Sequence, residues 1–163
     1  MPARQSIGVI IIAGLVFDTT GLYMSKEQAD LVQYLLCCGV NPNTKHIWIK
    51  YDQSGHSTRQ TKMSLWEAYV EAFPDVWKSG HETDVRWALE VMQLLLRDGH
   101  ADRNCCLPAG KKSLLSALTF EPHHEAYWRK RQDYLWNMFA GQLHGLLYGH
   151  GLLTREECQS LGF

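Results

Sequence analysis

The segment Tyr34, Leu35, Leu36, Cys37, Cys38, Gly39, Val40, Asn41, Pro42, Asn43 recurs, with one residue inserted, as Leu94, Leu95, Leu96, Arg97, Asp98, Gly99, His100, Ala101, Asp102, Arg103, Asn104. Each copy closes an apolar helical pattern with a glycine, and glycine takes the left-handed backbone just past a helix end without a Cβ clash. Gly39 and Gly99 are therefore predicted helix stops. A worn third copy is Leu146, Leu147, Tyr148, Gly149, His150, Gly151.

Working outward from the first copy, Ser25 with Gln28 has the spacing of a capping box, in which the first side chain and the fourth satisfy each other's backbone N–H. Ala29, Leu31, Val32, Leu35 and Leu36 follow at three- and four-residue spacing, so a helix is predicted over 26–38. In the second copy Val85, Ala88, Leu89, Met92, Leu95 and Leu96 repeat the stripe, and Arg97 sits in the last turn, where a cation suits the helix dipole. Ser64, Leu65, Trp66 and Ser113, Leu114, Leu115 each open a further helix, with Ser6, Ile7 as a fainter counterpart. After Ser64 the apolar face is Leu65, Trp66, Tyr69, Val70, Phe73 and Trp77, closing near Pro74. After Pro122 a long pattern runs through Tyr127, Arg131, Tyr134, Leu135, Met138, Phe139, Leu143 and Leu146, and Thr154 with Glu157 caps a short terminal helix over 154–161. Three units result, 6–43, 64–104 and 113–151, within one domain over 1–163.

A helix, a turn and a second helix ending in Leu, Leu before Gly, then Asn, Pro, Asn, resembles the ankyrin repeat, and Leu35 to Asn43 carries the likeness most fully. Gly39 to Asn43 and Ala101 to Asn104 each keep part of that family's run after the second helix. Its opening motif is reduced to Ser64, Leu65, Trp66 and Ser113, Leu114, Leu115, without Pro or His. The family's period is about 33 residues, so the wider spacing here requires enlarged loops. With enlarged loops and Trp in the opening motif, the chain is also similar to the ankyrin-like end regions of fungal signalling NTPases of the NACHT class. The resemblance implies an all-α fold, a short ankyrin-like repeat stack of two clear units and a degenerate third with a β-hairpin insertion. It implies protein recognition without catalysis, as a module or segment of a larger signalling protein.

The insertion is the loop 44–62. Alternation in His46, Ile47, Trp48, Ile49, Lys50, Tyr51 predicts a strand, Ser54 and Gly55 a turn, and Ser57 to Thr61 a return strand. Four cations, Lys45, Lys50, Arg59 and Lys62, stand against one carboxylate, Asp52, and the next loop adds Arg103, Lys111 and Lys112 against Asp102. Aromatic and cationic groups together have the make-up of a binding hot spot. Trp48, Lys50, Tyr51, Arg59, Lys62 and Lys111 are the expected contacts to another protein with an acidic surface. The alternative for Trp48 is that it packs on the neighbouring repeat.

Length, 163 residues, suffices for one packed core, and 45% apolar residues with six Trp, seven Tyr and five Phe argue against a disordered chain. A formal net charge of −1 excludes a whole-surface nucleic-acid footprint. The five cysteines form an odd set with two adjacent pairs, which fits reduced thiols and a cytoplasmic protein better than a disulfide framework; Cys37 reads as a small core residue. The apolar run 7–17 is too short to span a bilayer of ~30 Å and reads as a buried terminal element, or alternatively as a secretory signal cleaved after Gly21.

No cofactor or metal is expected. Gly110, Lys111, Lys112, Ser113 lacks the first glycine of a phosphate loop and reads as a lead into a helix cap. Cys pairs at ligand spacing and His pairs on one helical face are missing. The alternative function is a small metal-dependent hydrolase using His123 and His124 with a remote cysteine. Glu67 and Glu71 read as the solvated flank of a helix.

Overall fold

The computed structural model describes residues 17–18, 21–22, 25–51 and 54–163. The elements are the two-residue strands β1 (Phe17–Asp18) and β2 (Gly21–Leu22), α1 (Lys26–Cys37), β3 (Lys45–Tyr51) and β4 (Ser57–Ser64). They continue with α2 (Leu65–Ala72), a 3-10 helix (Phe73–Lys78), α3 (Glu82–Arg97), α4 (Leu114–Leu118), α5 (Ala126–Gly149) and α6 (Arg155–Leu161). The chain is mostly helical, with two small antiparallel pairs, β1 with β2 and β3 with β4. The expected terminal element over 7–17, apart from Phe17 in β1, and the Ser6 counterpart lie outside the described residues, and the expected cleavage position after Gly21 falls within β2.

Helix starts follow the capping chemistry. Reciprocal boxes join Ser25 with Gln28, Ser64 with Glu67, Ser113 with Ser116, and Thr154 with Glu157, each satisfying backbone N–H groups that the first helical turn leaves unpaired. Pro74 does not end the α2 stretch outright; it converts it, and the chain continues as a 3-10 helix carrying Val76 and Trp77 into the core. α1 packs on α3, α3 on α5, and α2 on α4. Between these layers Trp66, Tyr69, Phe73 and Trp77 form a column with ring centroids about 6 Å apart. The column continues through Phe120 and Trp136 of the third segment. Burying side chains of this size contributes on the order of 2–3 kcal/mol apiece.

Three stripe assignments change. Leu31 is 41% exposed, while Ala29, Val32 and Leu36 face the core; one residue of a five-residue stripe falls outside the arc that α3 covers. Cys37 is exposed as well, because it lies on the side of α1 away from Leu36. In α5 the buried line is Gln132, Leu135, Phe139, Leu143 and Leu147, whereas Tyr127, Tyr134 and Met138 face outward. The long pattern thus mixed two opposite faces of one helix.

The two glycine stops also differ. Gly39 has φ 90°, and Val40 N–H closes on Leu35 O at 3.3 Å, as expected of a left-handed helix end. Gly99 is not left-handed: the inserted residue carries that conformation one position on, to His100 at φ 50°, a residue type that enters this region more readily than most. Gly99 is required for space. A Cβ there would lie 2.7 Å from Leu95 O, 2.9 Å from Pro42 Cγ and 3.3 Å from Leu36 Cδ2. Gly99→Ala is expected to lower stability by about 1–3 kcal/mol through forced displacement, read as a lower urea midpoint at unchanged slope.

That close approach brings the two recurring loops together. Asn43 Nδ2 donates to His100 O at 2.9 Å, and Asp102 N–H donates to Asn43 Oδ1 at 2.7 Å. Within each loop the same local bond recurs, Asn43 N–H to Asn41 Oδ1 and Asn104 N–H to Asp102 Oδ1, both 2.9 Å.

A candidate interaction surface

Ser64 is both the last residue of β4 and the cap of α2, so the hairpin and the helix are one continuous joint. The joint is organised by Glu67, which is 7% exposed rather than on a solvated flank. Its Oε2 accepts Ser64 N–H at 2.9 Å and its Oε1 accepts Cys106 N–H at 3.0 Å, with Lys45 Nζ 3.3 Å from Oε1. Burial alone would push the carboxyl pKa up. The backbone N–H groups of Cys106 and Ser64 and the Lys45 ammonium outweigh it and hold it below the usual value. Lys45 is held above its ordinary value by the same contact, Glu67 being the main cause. One carboxylate therefore ties together the hairpin base, the start of α2 and the loop that follows α3.

The hairpin register sets what each strand presents. Ile47 pairs with Lys62, Trp48 with Thr61, Ile49 with Gln60 and Lys50 with Arg59, and Tyr51 sits opposite Ser57 beyond a register shift. Opposed residues share a face and neighbours alternate. Trp48 is half-buried against the core, and its Nε1–H donates to Met63 O, in the other strand of its own hairpin, at 2.9 Å. Ile47 is 61% and Ile49 44% exposed, with Lys62 exposed beside Ile47. The two isoleucines were not among the expected contacts. Their alternation with Trp48 carried the signal, but only the docking of Trp48 decides which face is wet.

Of the remaining expected contacts, Lys50 and Arg59 are opposed in the backbone register, and for Lys50, Tyr51 and Arg59 the backbone alone is described. Lys111 is half-buried, just past a turn in which Gly110 takes φ 80° and Lys111 N–H reaches Pro108 O at 3.1 Å. This turn leads into the Ser113 cap, as expected from the sequence. The loop carrying Lys111 meets the hairpin base through Cys106, whose Sγ lies 3.8 Å from Lys45 Nζ.

Next to this loop lies an open cleft of about 340 Å³ lined by Leu96, His100, Ala101, Asp102, Arg103, Asn104, His150 and Leu152. The Arg103 guanidinium rests over Gly151, and a Cβ added there would come within 3.3 Å of it.

His123 and His124 are built into the start of α5. His123 Nδ1 accepts Glu125 N–H at 3.0 Å, His123 N–H reaches Gln132 Oε1 at 2.8 Å, and Arg129 donates to both histidine carbonyls. No group of three or more His, Cys, Asp or Glu among the described residues is arranged to hold a metal ion. Cys105, the more enclosed of its pair, has its thiol pKa pushed up by burial and then by Glu67, the opposite of an activated nucleophile. Among the described residues no helix is long and apolar enough to cross a membrane.

Comparison of the chain with protein-family models, with curated proteins and with solved structures finds no match.

Proposed function

We propose that this chain is a partner-binding module, a short ankyrin-like stack that captures another protein on its hairpin and adjoining loops without catalysing a reaction. The observation that carries the reading is the hairpin itself. An apolar pair, Ile47 and Ile49, stands exposed beside Lys62 on a strand pair locked to the body by Trp48 and by the Lys45–Glu67 contact. Exposed apolar side chains on a rigid support, rimmed by cations, favour a partner with an apolar spot inside an acidic surround. Arg103 at the neighbouring cleft adds a further cation on the same run of loops.

The repeat-stack reading is supported by contacts of α1 with α3 and α3 with α5, and of α2 with α4. The matched Asn41–Asn43 and Asp102–Asn104 turns, joined by Asn43, support it further. In such stacks each unit buries its apolar face on its neighbours and the loops form a continuous surface for contact.

The test compares wild type with Ile47→Asp/Ile49→Asp and with Lys62→Glu, by affinity purification and mass spectrometry from the source cells. A protein retained by wild type is expected to fall at least tenfold in both variants, while their circular dichroism spectra match wild type. Equal retention by wild type and variants refutes the reading.

A further inference from the structure

The last long helix carries a largely exposed apolar face, bordered at Tyr134 by α3, where the Tyr134 hydroxyl donates to Glu82 Oε1 at 2.6 Å. On the side of α5 opposite its buried line lie Tyr127, Tyr134, Met138 and Tyr148, between 44% and 67% exposed, with Gly141 and Gly145 between them. The spacing Tyr134, Met138, Gly141, Gly145, Tyr148 alternates four and three residues, the pattern of a seam against another helix. A Cβ added at either glycine would meet nothing within 4 Å. Tyr148 is extended by Phe163, stacked on it at 4.4 Å between centroids. No Asp, Glu, Lys or Arg occurs from Tyr134 through Thr154, 21 residues, although a water-facing helix normally carries charge opposite its buried face.

Charge is found at the two ends, with opposite sign. Before the uncharged stretch come Arg129, Lys130 and Arg131 with Asp133; after it come Glu156 and Glu157 with Arg155. Arg129, Lys130 and Glu156 are exposed. The exposed charge flanking the uncharged stretch is basic before it, at Arg129 and Lys130, and acidic after it, at Glu156 on α6, so turning one copy end over end sets opposite charges against each other, and helix dipoles also favour that order.

We propose that this face pairs with a second copy of the chain as an antiparallel, two-fold symmetric dimer. Gly141 and Gly145 permit close approach of the two α5 backbones at the centre. Met138 and Tyr148 pack beside them, and the Lys130 end of one copy lies by the Glu156 end of the other. Four large side chains with about half their surface open supply roughly 400 Å² per copy, below the ~800 Å² of a standard interface. The dimer is therefore reversible, with dissociation on the order of micromolar or weaker. It does not rest on the partner-binding reading, which concerns the loops.

Sedimentation equilibrium of the full chain from about 10 to about 500 µM tests it. Wild type is expected to shift from monomer to dimer over this range. Met138→Glu/Gly145→Lys is expected to stay monomeric with an unchanged helical spectrum, since lysine favours a helix interior over glycine; Tyr148→Lys provides a second, single substitution at an exposed site. Lys130→Glu should weaken association roughly threefold or more, and Lys130→Glu/Glu156→Lys should restore it, because each exposed pair occurs twice in the dimer. A wild type monomeric throughout overturns the proposal, as does a dimer indifferent to both apolar-face variants. Charge reversal without effect, or without rescue, overturns the antiparallel order.

Discussion

Trp77→Ala is expected to lower the unfolding free energy by about 3–5 kcal/mol, the range for deleting a large buried aromatic. Trp77 has no exposed surface and meets Phe73, Phe120 and Trp136 at centroid distances of 5.2–6.0 Å. Its Nε1–H also donates to Leu118 O at 2.9 Å, so the truncation leaves a cavity and an orphaned carbonyl together. One side chain links the 3-10 helix, α4 and α5, and its loss should loosen the third segment from the first two. Trp77→Phe keeps much of the volume but drops the N–H; it should cost less than half as much. Urea unfolding followed by circular dichroism reads both. A Trp77→Ala loss under about 1 kcal/mol would mean that the aromatic column does not hold the layers together.

Glu67→Ala is expected to cost about 2–3 kcal/mol, because it strips the acceptor from Ser64 N–H and Cys106 N–H and leaves Lys45 without its anion. The same group sets an acid dependence. Its folded pKa is held below the ordinary carboxyl value of 4.5, so the unfolded chain binds the proton more readily. The stabilisation is therefore fully present above about pH 4.5 and lost as pH falls through the lower folded value. Glu67→Gln, which cannot ionise, should remove that part of the acid slope while losing less stability than Glu67→Ala. Unfolding curves from pH 7 to pH 3 test the pair. An acid slope in Glu67→Gln equal to wild type would show that the carboxylate is not the group that titrates. Because Glu67 ties the hairpin to the body, Glu67→Ala should also weaken partner capture without touching Ile47 or Ile49.

Local residues set where α1, α2, α4 and α6 begin and where α1 ends. Ser25, Ser64, Ser113 and Thr154 cap as their spacing required, and Gly39 stops α1, since a cap needs only the residues within one turn of it. The hairpin was equally legible, because alternation and a glycine turn are contained in its own residues. Tertiary packing decided the rest. Gly99 is small for the sake of Pro42 and Leu36, and Glu67 is buried by Lys45 and by Cys106. Trp48 rather than Ile47 or Ile49 turns inward, and α5 hides Leu135 and Phe139 while leaving Tyr134 and Met138 in water. In each case an apolar or charged side chain has two stereochemically permitted sides, and periodicity alone does not say which of them a neighbour distant in sequence will cover.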